Sequence, residues 1–135
     1  MIYLLYGTDT YSLRAYLDEL RAAVGMPDVQ DANITSLNTQ DANPASILGL
    51  CQAMPFLAAR RMVIVDGLIA SMAREGRGAS GKVTPEVLAD WQDFCSSLPD
   101  NMPEFSDLVL MEGQLRANNP ILNNVKAVAE VKEFG

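Results

Sequence analysis

Blocks of apolar residues alternate along the chain with stretches in which apolar residues recur at helical spacing. Three of the blocks are apolar on both faces, which is typical of strands in the middle of a parallel sheet. Two blocks that are more polar also predict strands, and the first of these is expected at a sheet edge. The predicted strands are Ile2–Tyr6, Asn33–Leu37, Arg61–Gly67, Asp107–Gly113 and Ala129–Phe134.

Four helices are predicted between these strands from their apolar stripes and start signals. Proline at the first helical position marks two of the starts, at Pro44 and Pro85. Pro55 should end the second helix, since proline breaks the helix that precedes it. The stretch Leu68–Val83 is rich in Gly, Ser, Ala and Arg, lacks apolar periodicity and predicts a loop. The helices are expected from Asp9 or Thr10 to Gly25, from Asn43 to Met54, from Thr84 past Cys95, and from Asn118 to Lys126.

The order of these elements, βαβαβαβαβ, predicts the fold class. Strands that alternate with helices form a parallel sheet with right-handed crossovers and helices on both faces. We therefore expect a doubly wound, mostly parallel five-stranded α/β domain, and a chain of 135 residues is long enough for one such domain, residues 1–135. Because the chain stops on a strand, we also expect it to be a fragment of a longer protein.

Composition and charge narrow the range of functions. Apolar residues make up 49% of the chain and charged residues 20%, which is ordinary for a globular protein. The net charge of −7 argues against a domain whose main task is to grip nucleic-acid phosphates. The N-terminal apolar run is too short for a signal peptide, and no run is long enough to span a bilayer. We expect a cytoplasmic protein with no membrane contact.

The chain offers few groups for catalysis. It contains no histidine, which excludes Ser-His-Asp and Cys-His mechanisms. Its two cysteines, Cys51 and Cys95, lie in predicted helices and are expected to be reduced and buried. Two cysteines alone cannot complete a tetrahedral zinc site. We therefore expect no catalytic residue, no cofactor and no metal.

A nucleotide-binding, P-loop-like NTPase domain is the main alternative. Gly76–Lys82 matches the pattern G-x-x-x-x-G-K, in which Gly81 and Lys82 would hold phosphates, and Asp66 ends an apolar strand as a Mg²⁺-binding acid does. However, Val83 stands where the pattern requires Ser or Thr, and the loop does not follow its strand directly. A flexible linker and a turn residue explain these features better.

An apolar pair follows the proline that ends the second helix. Phe56 and Leu57 fall in a short connection before a central strand. Two consecutive apolar residues in such a turn cannot both reach the core easily, so at least one should be exposed. Adjacent exposed apolar side chains often mark a protein-binding site. Spacing alone leaves the alternative open, in which both fold back onto the core as a hydrophobic staple.

Several stretches together resemble a known family. They are Ile2–Gly7 with Asp9, Tyr11 and Leu13, then Leu50–Ala58 with Arg60 and Arg61, then Met62–Val65, and finally Asp107–Leu110. In these stretches the chain resembles the N-terminal domain of the delta subunit of bacterial DNA polymerase III, and the resemblance spans nearly the whole chain. It implies an AAA+ or P-loop-like three-layer fold that has lost a functional phosphate loop. The long Gly-rich stretch Leu68–Val83 departs from the family.

The resemblance also implies a role in DNA replication. In this family two adjacent apolar residues enter a hydrophobic pocket on the sliding clamp and let the ring open, a binding-driven shift without catalysis. Phe56 and Leu57 match those positions, and Met54 and Pro55 flank them. The other clamp-loader subunits are expected to bind mainly through lid and collar domains, which are absent here. Any contact with DNA is expected only in the full assembly.

Overall fold

The computed structural model describes residues 1–73 and 83–135. No helix within those two ranges is long and apolar enough to cross a bilayer. The strands are β1 (Ile2–Gly7), β2 (Ile34–Leu37), β3 (Arg61–Asp66), β4 (Ser106–Met111) and β5 (Glu130–Phe134). The helices are α1 (Thr10–Ala22), α2 (Pro27–Asn33), α3 (Pro44–Gln52), α4 (Leu68–Ser71), α5 (Pro85–Asn101) and α6 (Leu122–Lys126).

The five strands form one parallel sheet in the order β2-β3-β4-β1-β5. The three runs that are apolar on both faces become β1, β3 and β4 at its centre, and all six residues of β4 are buried. The more polar β2 and β5 are the two outermost strands of the sheet, and this position was predicted for β2. The prediction of a doubly wound α/β domain is confirmed. Since the strands are parallel, all of them begin at one edge, the amino-terminal edge, and end at the opposite, carboxyl-terminal edge.

Apolar side chains cover both faces of the sheet. On one face α1 packs Leu13 and Leu17 against residues of the central strands. On the other face α3, α4, α5 and α6 together build the larger cluster, in which Trp91 and Phe94 meet edge to face. The sheet is therefore the middle of three layers, as the βα alternation predicts.

Three predicted helix starts are confirmed by their capping hydrogen bonds. The Asp9 carboxylate accepts the backbone N–H of Ser12 at the start of α1. Asn43 and Thr84 cap α3 and α5 in the same way, each followed by proline at the first helical position. Such caps satisfy backbone donors that have no partner within the helix.

The two cysteines are free thiols buried in helices, Cys51 in α3 and Cys95 in α5. Burial raises the pKa of each thiol to about 11. The thiolate, which is the reactive form, is therefore scarce at neutral pH. This agrees with the prediction that both cysteines are reduced and buried.

Two boundaries around the predicted apolar pair differ from expectation. Asn33 ends the additional helix α2 instead of starting a strand, and α2 carries too few apolar residues to form a visible stripe. Pro27 at its first position was the signal available in the sequence. Helix α3 ends at Gln52, not Met54, because Ala53 already adopts an extended backbone with ψ of 140°.

The predicted loop Leu68–Val83 is wrong at its start. Residues Leu68–Ser71 form α4, and Leu68, Ile69 and Met72 are buried in the larger cluster. A single helical turn is too short to display apolar periodicity, so these three buried residues leave no recognisable helical pattern in the sequence. Residues 74–82, with the motif Gly76–Lys82, lie outside the described residues.

Candidate protein-binding site

Residues 53–60 join α3 to β3 and carry the largest concentration of exposed apolar side chains among the described residues; we call them the α3–β3 connection. Met54, Phe56 and Leu57 are 76%, 61% and 78% exposed, and Pro55 is half-buried. Sequence reasoning expected at least one of the adjacent pair to be exposed, and both are. Neither Phe56 nor Leu57 belongs to a core cluster, so the staple alternative does not describe the structure.

The connection lies at the amino-terminal edge of the sheet. It leaves α3, whose Ile47 and Cys51 pack on the larger cluster, and enters β3 after Ala58 packs on the opposite face with α1. The chain therefore passes around the edge of the sheet between the two faces. Ligands of doubly wound domains bind at the opposite edge, outside the carboxyl ends of the strands.

Polar contacts fix the helix that leads into the connection. The Arg61 guanidinium donates from Nε to the carbonyl oxygen of Leu50 at 2.6 Å. The buried Ser106 hydroxyl donates to the carbonyl oxygen of Cys51. Both acceptors belong to the last turn of α3, where carbonyl groups lack the usual partner four residues later.

A bidentate ion pair fixes Arg60, the last residue of the connection. Arg60 donates from Nε to Oδ2 of Asp107 at 3.0 Å, and its terminal nitrogen donates to Oδ1 at 2.7 Å. The Asp107 side chain is 5% exposed and that of Arg60 is 29% exposed. The hydrogen bonds to Asp107 raise the pKa of Arg60, so the guanidinium stays charged. Bidentate pairs of this kind fix geometry as well as charge.

The middle of the connection is held by Asn33, a residue that sequence reasoning assigned to a strand. Its side-chain amide is fully buried and bonds to both backbone polar groups of Phe56. Nothing in the sequence pairs these two residues, because they are 23 positions apart and meet only in the folded domain. The only available signal was the asparagine itself, at the start of the predicted strand Asn33–Leu37.

Leu57 adopts a backbone conformation that is unusual for its residue type. Its φ of +53° makes it the only non-glycine residue with a positive φ among residues 1–73 and 83–135. Such conformations are costly for residues with a Cβ and tend to occur at functional sites, where the surroundings hold them in place. The exposed pair is thus presented by a defined turn.

The nucleotide-binding alternative rests on Asp66, Gly81 and Lys82. Asp66 is exposed at the end of β3, whereas Gly81 and Lys82 lie outside the described residues. Next to Asp66, the buried Glu112 accepts the backbone N–H groups of Ile69 and Ala70 at 2.7 and 3.2 Å. Burial raises the pKa of Glu112 to about 7, and the negative charge of Asp66 adds to this effect. The Glu112 carboxylate therefore provides acceptors for backbone N–H groups in the first turn of α4.

Two solved structures have a fold similar to that of this chain. The Bacillus subtilis DNA clamp loader delta protein matches with a TM-score of 0.73 and 21% identity, over 98% of this chain and 38% of that one. A Thermotoga maritima protein related to the DNA polymerase III gamma subunit matches with a TM-score of 0.63 and 16% identity, over 100% of this chain and 41% of that one. The chain thus has the doubly wound fold of the AAA+-like domains.

The family follows from the sequence itself. The model of the family "DNA polymerase III, delta subunit" matches residues 3–102, and the chain belongs to this family. No curated protein matches the chain. The chain spans 38% of the length of the Bacillus subtilis protein that shares its fold.

Proposed function

We propose that this chain is the sliding-clamp-binding module of a clamp-loader delta subunit, and that Phe56 and Leu57 enter a hydrophobic pocket on the clamp. The observation that carries the proposal is the exposed, adjacent apolar pair on a fixed turn, in a member of the DNA polymerase III delta subunit family. Met54 and Pro55 flank the pair and contact the rim of that pocket.

The energetics of such a contact are sufficient for recognition. Burying a Phe or a Leu side chain contributes roughly 2–3 kcal/mol. Residues that anchor interfaces fill pockets in this way while their neighbours exclude water. The net charge of −7 also favours a protein partner over direct binding to DNA.

Opening of the clamp is a shift of an equilibrium and needs no catalysis by this chain. A ligand shifts a conformational equilibrium only by the difference between its affinities for the two states. We therefore propose that the pair binds the clamp more tightly when the neighbouring clamp interface is distorted. The chain then acts within the DNA polymerase III assembly without being an enzyme.

The other clamp-loader subunits and DNA are the remaining partners to be considered. We propose that residues 1–135 form one clamp-binding domain and that the other loader subunits bind mainly outside these residues. Any contact with DNA is proposed for the full assembly only.

Calorimetric titration of this chain separates the proposal from the nucleotide-binding alternative. With the sliding clamp of the same organism we expect saturable binding, and with Mg²⁺ and ATP only heats of dilution. Saturable ATP binding that disappears in Lys82→Ala, together with no binding to the clamp, would establish the alternative.

A further inference from the structure

We propose that Asn33 is the positioning residue of the Phe56–Leu57 pair, and that its side-chain amide holds the connection in the conformation that binds the clamp. This inference rests on the proposed function and assigns a role to a residue outside the binding surface. Asn33 is completely buried, whereas Phe56 is 61% exposed. Its contribution to binding is therefore indirect, through the backbone that carries the pair.

The hydrogen bonds of Asn33 use both donors and the acceptor of its amide. Nδ2 donates to the carbonyl oxygen of Phe56 and to that of Val29, each at 2.8 Å, and Oδ1 accepts the backbone N–H of Phe56 at 2.6 Å. A rotated amide would set its oxygen against two carbonyl oxygens and its NH₂ group against an N–H. The contacts thus define a single orientation of the amide.

Asn33 is itself fixed by the helix that it ends. The bond to Val29 is an i to i−4 contact inside α2, and it ties the side chain to that helix. The same region meets the connection at two further points. The carbonyl oxygen of Val24 accepts the N–H of Arg60 at 3.4 Å, and Gly25 leaves so little space that an added Cβ would lie 3.1 Å from Cβ of Ala58. Residues 24–33 therefore form a support beneath the connection.

This support explains how Leu57 keeps its left-handed backbone. A non-glycine residue remains at a φ of +53° only when its surroundings over-determine that conformation. Asn33 bonds to both backbone groups of the residue immediately before Leu57. Without the amide, Phe56 has free backbone groups, and Leu57 can relax to negative φ, which changes the direction of its side chain relative to that of Phe56.

Loss of the amide should therefore weaken binding without touching the binding surface. A protein that occupies its binding-competent conformation only in part binds with an affinity reduced by that fraction. If the competent fraction falls to about one tenth in Asn33→Ala, binding to the clamp weakens about tenfold. The exposed side chains are unchanged in this variant.

The experiment compares wild type and Asn33→Ala by calorimetric titration with the sliding clamp and by amide hydrogen exchange of Phe56. We expect about tenfold weaker binding together with faster exchange at the Phe56 amide. Asn119→Ala is the matched control, because Asn119 also bridges backbone groups, those of Ile69 and Ile121 at 2.7 and 3.1 Å, but after β4 at the carboxyl-terminal edge. The control should lower the unfolding temperature and leave clamp affinity and Phe56 exchange unchanged.

The outcomes separate this role from the proposed function. If wild type binds the clamp and Asn33→Ala binds it as tightly as wild type or as Asn119→Ala does, the positioning role is overturned. The proposed function is unaffected by that result. Wild type that fails to bind the clamp overturns both. If Asn33→Ala does not fold, Asn33→Ser is used in the same experiment. Serine keeps a polar group at the buried site, but its hydroxyl cannot replace all three hydrogen bonds of the asparagine amide.

Discussion

Replacing Phe56 and Leu57 together by alanine is expected to weaken clamp binding on the order of 1,000-fold. The two side chains contribute roughly 2 kcal/mol or more each when buried in a pocket, and about 4 kcal/mol corresponds to a factor of about 1,000 in affinity. Calorimetric titration with the sliding clamp measures this loss. The stability of the domain should hardly change, because both side chains are largely exposed.

A matched control exists in the same chain. Tyr11 and Val87, 85% and 41% exposed, are also one aromatic and one aliphatic residue, but both lie near the carboxyl-terminal edge, at the starts of α1 and α5. The variant Tyr11→Ala/Val87→Ala should bind the clamp like wild type. Equal losses in the two double variants would show that exposed apolar area, and not this pair, determines binding. Unfolding of Phe56→Ala/Leu57→Ala would instead give the pair a role in the core.

The stability of the domain should fall as the pH rises from about 4.5 to about 7. The pKa of Glu112 is raised by burial from 4.5 to about 7 in the folded protein, so the folded state binds a proton that the unfolded state has released. The stabilising contribution of the protonated form is complete below pH 4.5 and is lost as the pH passes through about 7. The difference between the two pKa values corresponds to about 3 kcal/mol of unfolding free energy.

Among the described residues, no side chain other than that of Glu112 is expected to titrate in this pH range. The chain has no histidine, the side chain that ordinarily titrates between pH 5 and 8. Asp9, whose pKa is lowered by hydrogen bonds from Ser12, affects stability only at lower pH. Urea unfolding at pH 5, 6, 7 and 8 measures the slope.

Glu112→Gln should flatten this dependence, because glutamine is always neutral and its oxygen can still accept the N–H of Ile69. Glu19→Gln, the same change at an exposed position of α1, should leave the slope intact. A Glu112→Gln variant with the slope of wild type would show that another group is responsible. A stability that rises between pH 5 and 7 would mean that the buried carboxylate is stabilised as the anion.

Much of the fold followed from local signals in the sequence. Most of β3 and β4, Met62–Val65 and Leu108–Met111, consists of continuous apolar runs. Asn43–Pro44 and Thr84–Pro85 are cap and first-turn signals that act within a few residues. Of the additional helices, α2 offers only the proline at its first position, and α4 carries no such signal. The first has few apolar residues, and the second is a single turn whose N–H groups are satisfied by Glu112 from a distant strand.

Part of the candidate site was predictable because it also depends on a local signal in the sequence. Pro55 restricts the residue before it, which made a connection with an exposed apolar pair foreseeable at Phe56 and Leu57. The residues that fix this connection, Asn33 and Asp107, could not be predicted. Their partners are 23 and 47 positions away along the chain, and only the parallel sheet brings the starts of its strands together.

Contact between Leu57 and the clamp can be measured directly by photo-crosslinking. A benzophenone amino acid is placed at position 57 in one protein and at position 11, in place of the 85% exposed Tyr11, in another. Irradiation with the sliding clamp should give a covalent product only from position 57, on residues lining an apolar pocket of the clamp, and excess wild-type chain should suppress it. A product from position 11 with none from position 57 would contradict a clamp-binding role for the Phe56–Leu57 pair.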